Sequence, residues 1–400
     1  MKILLIHNYY RYRGGEDRYA ETLNETLSQN GHSVIRLSFD SKEIRKFSLP
    51  DKLLIPKRLI HSSTLNKKVE ALLEREKPDL AVIHNLFPLV SLSVLKVLKE
   101  HGIPIIKRIE NYRFLCLNGL FLRNNARVCD VCKNGNFLPG IIHKCYQNSL
   151  LNSIGMALPL MAVNWRKMLF ASVDLFLSPS RFVKGKFIEA GFPAEKISVL
   201  PNFLDFEPLD TPREPGPYAI FIGRLSEEKG LFTLLKAFKA FPGLPLKILG
   251  EGPLGKKLKE FVGSHEMKNV EFSGFIDGKK KRDLLSGARF LVFPSECYES
   301  FGYSIIEGHA CGVPVIAAAG GGAKELIVDG ENGFLFEPGN ADDLISKIDG
   351  LQKMDLNALG EMKTNSLKRV KDYYTKETGY KNLVELFDKV LRSRVSRLTL

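Results

Sequence analysis

The sequence predicts an α/β chain built from two doubly wound domains, and three observations carry that reading. Short apolar runs bounded by turn residues alternate with helical patterns along the whole chain, which is the rhythm of strand–helix–strand units that build parallel sheets. Five prolines, Pro201, Pro208, Pro212, Pro215 and Pro217, interrupt that rhythm near the middle, as a domain boundary does. The 400 residues, 44% of them hydrophobic, are enough for two cores of ordinary size.

The first domain is read as residues 1–205. Its strands are predicted at Lys2 to Ile6, Ser33 to Phe39, Asp79 to His84, Pro104 to Ile109, Val173 to Leu177 and Ile197 to Leu200. Tyr19, Leu23 and Leu27 recur every four residues and Gly31 follows, so a helix joins the first two strands. A cysteine-rich insertion occupies 112–148, with loop signals at Asn118-Gly119, Asn124-Asn125 and Gly135. The second domain, 206–372, repeats the pattern with strands at Tyr218 to Ile222, Leu246 to Leu249, Val270 to Phe272, Phe290 to Phe293, Val313 to Ala317 and Gly333 to Phe336. Residues 373–400 read as an amphipathic helix with Leu383, Leu386, Phe387 and Val390 on one side, able to pack back on the first domain.

Charge separates the halves. Residues 1–200 carry 30 Lys and Arg against 17 Asp and Glu, whereas residues 201–400 carry 28 of each, so the whole net charge of +13 lies in the first half. A one-sided positive field suits nucleic acid, an anionic membrane surface or a phosphorylated acceptor, or is simply a soluble basic surface. Against nucleic acid, the charge is spread over 200 residues without a recognition motif, and the neutral half is left unexplained. Two segments mix cations with apolar residues: Lys42 to Lys68, and Leu150 to Phe170. They suit a peripheral membrane face, or equally core helices with a solvated side. The apolar start is short and the run from Leu150 to Val163 is broken by Asn152, Ser153, Gly155 and Pro159, so a cytoplasmic protein is expected, placed at most on the cytoplasmic face of a membrane. Its six cysteines are then reduced thiols or metal ligands. Cys116, Cys129, Cys132 and Cys145 form C-x12-C-x2-C-x12-C, which can cage a structural zinc or remain free.

Ligands of doubly wound sheets bind beyond the carboxyl ends of the strands. The loop after Ile222, Gly223 to Gly230, places Arg224 and Lys229 where they can neutralise a diphosphate, or where they are plain solvated cations. Gly250 and Gly252 mark a sharp turn or a close backbone approach, and Gly274-Phe275 can offer backbone groups to a flat base. After Phe293 comes Glu299-Ser300-Phe301-Gly302, then a buried helix predicted to start near Phe301 or Gly302, with Glu307 about two turns in. A carboxylate on such a helix must accept hydrogen bonds, and vicinal ribose hydroxyls are suitable donors. The amides at Phe301 and Gly302 favour a phosphate.

The E-x7-E pattern of Glu299 and Glu307, followed by Ala-Cys-Gly-Val-Pro-Val-Ile, resembles family 4 of the retaining glycosyltransferases, of the GT-B fold. The likeness also takes in Gly223-Arg224 with Lys229, Gly250-Glu251-Gly252-Pro253, Gly320-Gly321-Gly322 with Glu325, Asn332-Gly333 and the Gly14-Gly15-Glu16 loop. It implies two Rossmann-like domains facing across a cleft, a nucleotide-diphosphate sugar donor, and a saccharide, lipid-linked or lipopolysaccharide-type acceptor. Arg224 and Lys229 would hold the diphosphate, Glu307 the ribose, and Glu299, Ser300, Phe301 and Gly302 the sugar and its phosphate. Gly14 and Gly15 would close over the diphosphate from the other domain. No metal is needed for transfer in this family, and Glu299 positions the sugar. Where many relatives have a histidine before Asn-Tyr-Arg, this chain has Glu110, which contacts an acceptor or sugar hydroxyl or pairs with Arg108 or Arg113 as structure. His84 stands at a strand end, beside the acceptor or merely packed. A sugar phosphorylase or a nucleotide-sugar epimerase on the same fold is the alternative reading, and a zinc-containing nucleic-acid-binding protein a more distant one.

Overall fold

The computed structural model describes residues 1–11, 14–123, 127–162 and 165–398, so Asn124, Asn125 and Val163, named above, lie outside the described residues. The chain divides into two compact units, one of Met1–Asn124, Cys129–Pro201 and Gly379–Leu400, the other of Asn125–Val128 and Asn202–Thr378. Among the described residues each unit is built on one six-stranded, all-parallel sheet.

In the first unit the strands are β1 (Lys2–Tyr9), β2 (Ser33–Asp40), β3 (Leu80–Ile83), β4 (Ile105–Arg108), β5 (Leu175–Ser178) and β6 (Ile197–Val199), in the order β2-β1-β3-β4-β5-β6. Residues of β3 and β5 are buried throughout, because helices cover both faces of a parallel sheet. The first strand runs three residues past the predicted Ile6. Its polar His7 and Asn8 stay in the ladder because their side chains are satisfied inside: His7 Nε2 lies 2.9 Å from Asp17 Oδ1, and Asn8 Nδ2 donates to the Phe87 carbonyl at 2.6 Å. Helix α1 (Gly15–Gln29) buries Tyr19, Leu23 and Leu27 and ends before Gly31, whose φ of +78° suits glycine. Three further helices of this unit matter below: α2 (Leu49–Ile60), α3 (Leu138–Ile142) and α4 (Leu150–Ala162).

In the second unit β7 (Ala219–Ile222), β8 (Leu246–Leu249), β9 (Val270–Gly274), β10 (Phe290–Phe293), β11 (Val315–Ala318) and β12 (Gly333–Phe336) take the order β9-β8-β7-β10-β11-β12. Alternate residues of β10 feed the two cores: Phe290 and Val292 pack under α5 (Leu231–Phe238) and residues 341–353, while Leu291 and Phe293 pack with Ile305, Ile306 and Val370. Helices α6 (Gly278–Ser286), α7 (Tyr303–Ala310) and α8 (Leu356–Tyr373) complete that second layer. The last helix, α9 (Lys376–Leu398), belongs from Gly379 on to the first unit, where it buries Leu383, Phe387 and Val390, and its Tyr380 meets His32, just before β2, at 2.8 Å.

Both sheets have a topological switch point. In the second unit the chain winds from β7 outward to β9, then returns to place β10 against β7. The loops after β7 and β10 therefore meet at the carboxyl edge, where doubly wound sheets open a crevice. The first sheet switches between β1 and β3.

Candidate active site

At the switch point of the second unit the loop Gly223–Gly230 lies against the loop Pro294–Gly302. Glycines permit the contact: a Cβ on Gly230 would stand 1.9 Å from the Pro294 carbonyl oxygen, and the Glu296 amide donates to the Glu228 carbonyl at 2.9 Å. The neighbouring turn after β8 is as tight. Gly250 has φ +144°, and its Cβ would meet the Gly223 oxygen at 1.9 Å. Gly250→Ala is therefore expected to cost about 3 kcal/mol or more, read as a fall in urea midpoint at unchanged slope.

These loops assemble a charged cluster. The Lys229 ammonium donates to Glu299 Oε1, and the Ser295 hydroxyl donates to the same oxygen at 2.6 Å. Burial works against the charged Lys229, but its negative neighbours together, Glu299 foremost and Glu228 among them, hold the lysine above its ordinary pKa. Arg224 reaches Ser226 Oγ through Nε at 3.1 Å and pairs with Glu228 through Nη2. Glu228 is buried, which alone would raise its pKa, yet Arg224 and Lys229 pull it below the usual carboxylate range. Gly321, at φ +66°, lies so close that a Cβ would stand 2.3 Å from the Glu299 carbonyl, and the Gly322 amide donates to that carbonyl at 2.7 Å. The Gly320-Gly321-Gly322 turn thus braces Glu299 from behind.

Helix α7 begins at Tyr303, later than predicted, because Gly302 at φ +132° leaves the helical region. Glu307 is consequently its fifth residue, little more than one turn in. It is buried, and Lys281 of α6 donates to its Oε1 at 2.8 Å while also lying 3.1 Å from Asp277. Phe301 is buried against Tyr374, with ring centroids 5.9 Å apart, and Ser300 precedes it in the loop. Phe275 is 71% exposed beside Gly274, whose carbonyl takes the Gly250 amide at 2.8 Å. Arg224, Lys229, Gly250, Glu299, Ser300, Phe301, Gly302 and Glu307 are thus all placed by β7, β8, β10 and α7 of one unit. Sequence reasoning missed Glu228, Ser295 and Lys281.

The first unit carries a second polar cluster at its own switch point. Arg108 stacks its guanidinium 4.2 Å over the Tyr19 ring and donates through Nε to Glu110 at 2.6 Å. Glu110 therefore pairs with Arg108, not with Arg113, which instead reaches the Leu117 carbonyl. Burial outweighs Arg108 and raises Glu110 to about 7, and its Oε2 is buried without a hydrogen-bond partner among the described residues. The Lys107 ammonium is spent on the carbonyls of His84 and Arg108, and burial lowers its pKa to about 8. A cavity of about 10 Å³ opens between Lys107, Glu110, Asn111 and Asn85. Asn111 Nδ2 donates at 2.9 Å to Glu16, which ties the Gly14-Gly15-Glu16 loop to this cluster.

Two of the expected residues are placed here. His84 is wholly buried and packs edge-on to His7, with centroids 5.7 Å apart. Burial, reinforced by the charges of His7, Arg108 and Lys107, holds its pKa well below the ordinary range, so it is a neutral packed ring at the strand end. Gly14 has φ −136° and nothing within 4 Å of a built Cβ, so the turn itself does not demand glycine. Its amide donates to Asp17 Oδ2 at 3.0 Å and caps α1, which starts at Gly15.

Cys116, Cys129, Cys132 and Cys145 line one cavity of about 50 Å³ with Gly140 and His143. Among the described residues no group of three or more His, Cys, Asp or Glu is arranged to hold a metal ion. The Cys116 thiol lies 3.0 Å from Asn118 Oδ1, and burial raises Cys132 to about 12 and Cys145 to about 11. The four thiols thus line one pocket, as both the caged and the free reading of their spacing allow.

Residues 208–369 match the family described as glycosyl transferases group 1. The chain is 36% identical over 131 residues to an uncharacterized glycosyltransferase of Methanocaldococcus jannaschii, covering 33% of this chain and 37% of that one. It is 25% identical over 236 residues to the putative colanic acid biosynthesis glycosyltransferase WcaL of Salmonella typhimurium, covering 56% of this chain and 58% of WcaL. The aligned stretches thus span less than two thirds of either relative. In structure the chain is similar to Anabaena HepE, solved in complex with UDP and glucose, with a TM-score of 0.67, 18% identity, and coverage of 97% of this chain and 99% of that one. Two parallel six-stranded sheets of this kind are the GT-B architecture, and within it residues 208–369 match the glycosyl transferases group 1 family.

Proposed function

We propose that the protein transfers a sugar from a nucleoside-diphosphate sugar to a hydroxyl of a saccharide acceptor, free or lipid-linked, in the making of a polysaccharide or lipopolysaccharide. The observation that carries this reading is the switch-point cluster of the second unit. There Arg224 and Lys229 are fixed by Glu228 and Glu299 in loops tight enough for backbone to approach a ligand. The family match over residues 208–369 supports the reaction class. The name of WcaL supports the acceptor class, and the complex of HepE with UDP and glucose supports the donor class.

In this reading the two cations take the charge that develops on the departing diphosphate as the bond from the anomeric carbon to the phosphate oxygen breaks. Glu299, held by Lys229 and Ser295, orients the sugar, and Glu307, held by Lys281, accepts from the ribose hydroxyls. The acceptor oxygen bonds to the anomeric carbon on the face the diphosphate leaves, and its proton passes to that leaving group, so configuration is retained. No metal takes part in this step. Glu110, with one buried oxygen unpartnered among the described residues, is the acceptor-side candidate of the first unit. Release of nucleoside diphosphate that requires an added saccharide acceptor tests the reading. Release of sugar 1-phosphate on adding inorganic phosphate, or epimerised donor without release, would replace it with a phosphorylase or an epimerase.

A further inference from the structure

Helices α2 and α3 of the first unit each pack against α4, and a Cβ on Gly155 of α4 would stand 3.6 Å from Pro56 of α2. Between them they leave an unusual amount of aliphatic side chain in water. Leu53 is 73% exposed, Ile142 63% and Leu151 80%, with Leu49, Leu138 and Met161 also exposed. On α4 the inner side is taken by Ser153, Met156, Ala157 and Leu160, all buried, while Leu151 and Leu158, one heptad apart, stay outside. Scattered single leucines on a surface are ordinary, but a run of them across three touching helices calls for something to cover it.

The charge around these helices says what covers it. Residues 41–68 hold eight Lys and Arg against two acids, and residues 131–170 hold four against none. Lys46, Lys52, Lys57 and Lys144 are exposed beside the aliphatic residues, and Asp51, one of the two acids, is occupied by Arg58 at 2.8 Å. Aliphatic residues flanked by cations suit a surface that is oily inside and negative outside. No helix among the described residues is long and apolar enough to cross a membrane, so such a face would lie on a bilayer and not span it.

We propose that α2, α3 and α4 form a docking face for an anionic phospholipid bilayer, with Leu53 and Leu151 entering the acyl boundary and Lys52 and Lys57 meeting the headgroups. The face stands apart from the transfer reading, because docking requires neither donor nor acceptor.

Flotation of the full chain with vesicles of phosphatidylcholine alone, or mixed with phosphatidylglycerol, tests it. Wild type is expected to float with the anionic vesicles at low salt, to stay behind with the neutral ones, and to be released as salt rises. Exchanging both lysines in Lys52→Glu with Lys57→Glu should weaken binding by at least about tenfold, since each cation near the surface counts for about a factor of five. Leu53→Glu with Leu151→Glu should weaken it at least as much, and both sites are exposed, so circular dichroism should show unchanged folding. Failure of the wild type to float, or flotation of both variants like wild type, overturns the proposal. So does a wild-type dimer in gel filtration that the leucine variant turns to monomer without any vesicle binding, because the face would then join two copies of the chain.

Discussion

Lys229→Ala is expected to lower kcat by about 10² to 10³, with a smaller change in the donor KM, as removal of one preorganised charge partner does at a developing anion. The geometry gives the reason. Lys229 is largely buried and its ammonium rests on Glu299, with Ser295 on the same oxygen. Without the lysine, the Glu299 carboxylate keeps only the Ser295 hydroxyl among these partners and turns its charge on the incoming phosphates. The double variant Lys229→Ala with Glu299→Gln removes that repulsion and should recover donor binding more than turnover. Arg224 is more exposed, at 42% of its side chain, and its partner Glu228 stays near Lys229. Arg224→Ala should accordingly cost turnover less than Lys229→Ala does. Steady-state kinetics with saturating acceptor separates these outcomes, and wild-type turnover in Lys229→Ala would remove the cluster from the reaction.

Glu307→Ala is expected to lose both stability and donor affinity. Lys281 is 5% exposed and Glu307 3%, so deleting the carboxylate strands a buried ammonium with only Asp277, itself half exposed. Breaking such a pair costs about 3–5 kcal/mol, visible in urea unfolding. The two losses can be pulled apart. Glu307→Leu with Lys281→Met replaces both charges by apolar groups of similar size, which usually restores most of the stability. That double variant should fold nearly as wild type yet bind nucleoside diphosphate weakly, as it lacks the acceptor for the ribose hydroxyls. If it binds as tightly as wild type, Glu307 is a structural partner of Lys281 and its place in the donor site is lost.

The strands of both sheets were legible because buried parallel strands are near-continuous apolar runs, and the residues from Phe290 to Phe293 leave no other reading. Strand ends were less legible where polar residues stay in the ladder. His7 and Asn8 extend β1 only because Asp17 and the Phe87 carbonyl answer them from distant parts of the chain. Within Lys42 to Lys68 the sequence does not place the ends of α2, because Pro56 lies inside it and Leu49, Leu53 and Leu54 stay exposed on its outer side.

The candidate site was legible where glycine or charge stands next to a strand end. Arg224, Lys229, Gly250 and Glu299 announce themselves by their place after β7, β8 and β10. Lys281 did not, since a lysine in Lys279-Lys280-Lys281 reads as solvated, and only the packing of α6 on α7 buries the third of the three against Glu307. Glu228 hid likewise beside Glu227; its burial under Arg224 is a property of the folded loop. The four cysteines show the converse. Their spacing announces a cluster and they do share one cavity, whereas the contact of Cys116 with Asn118 belongs to the folded loop.

The most direct test of the central claim, that the second unit grips a nucleoside-diphosphate donor, is thermal unfolding of the wild type titrated with UDP, GDP and ADP. One of the three is predicted to raise the midpoint progressively, adding about 2.7 kcal/mol of stability at a hundred times its dissociation constant, with the shift abolished in the Glu307→Leu, Lys281→Met variant. A midpoint that none of the three moves, even at concentrations around 10 mM, where ligands binding at 1 mM or tighter should register, would contradict the account.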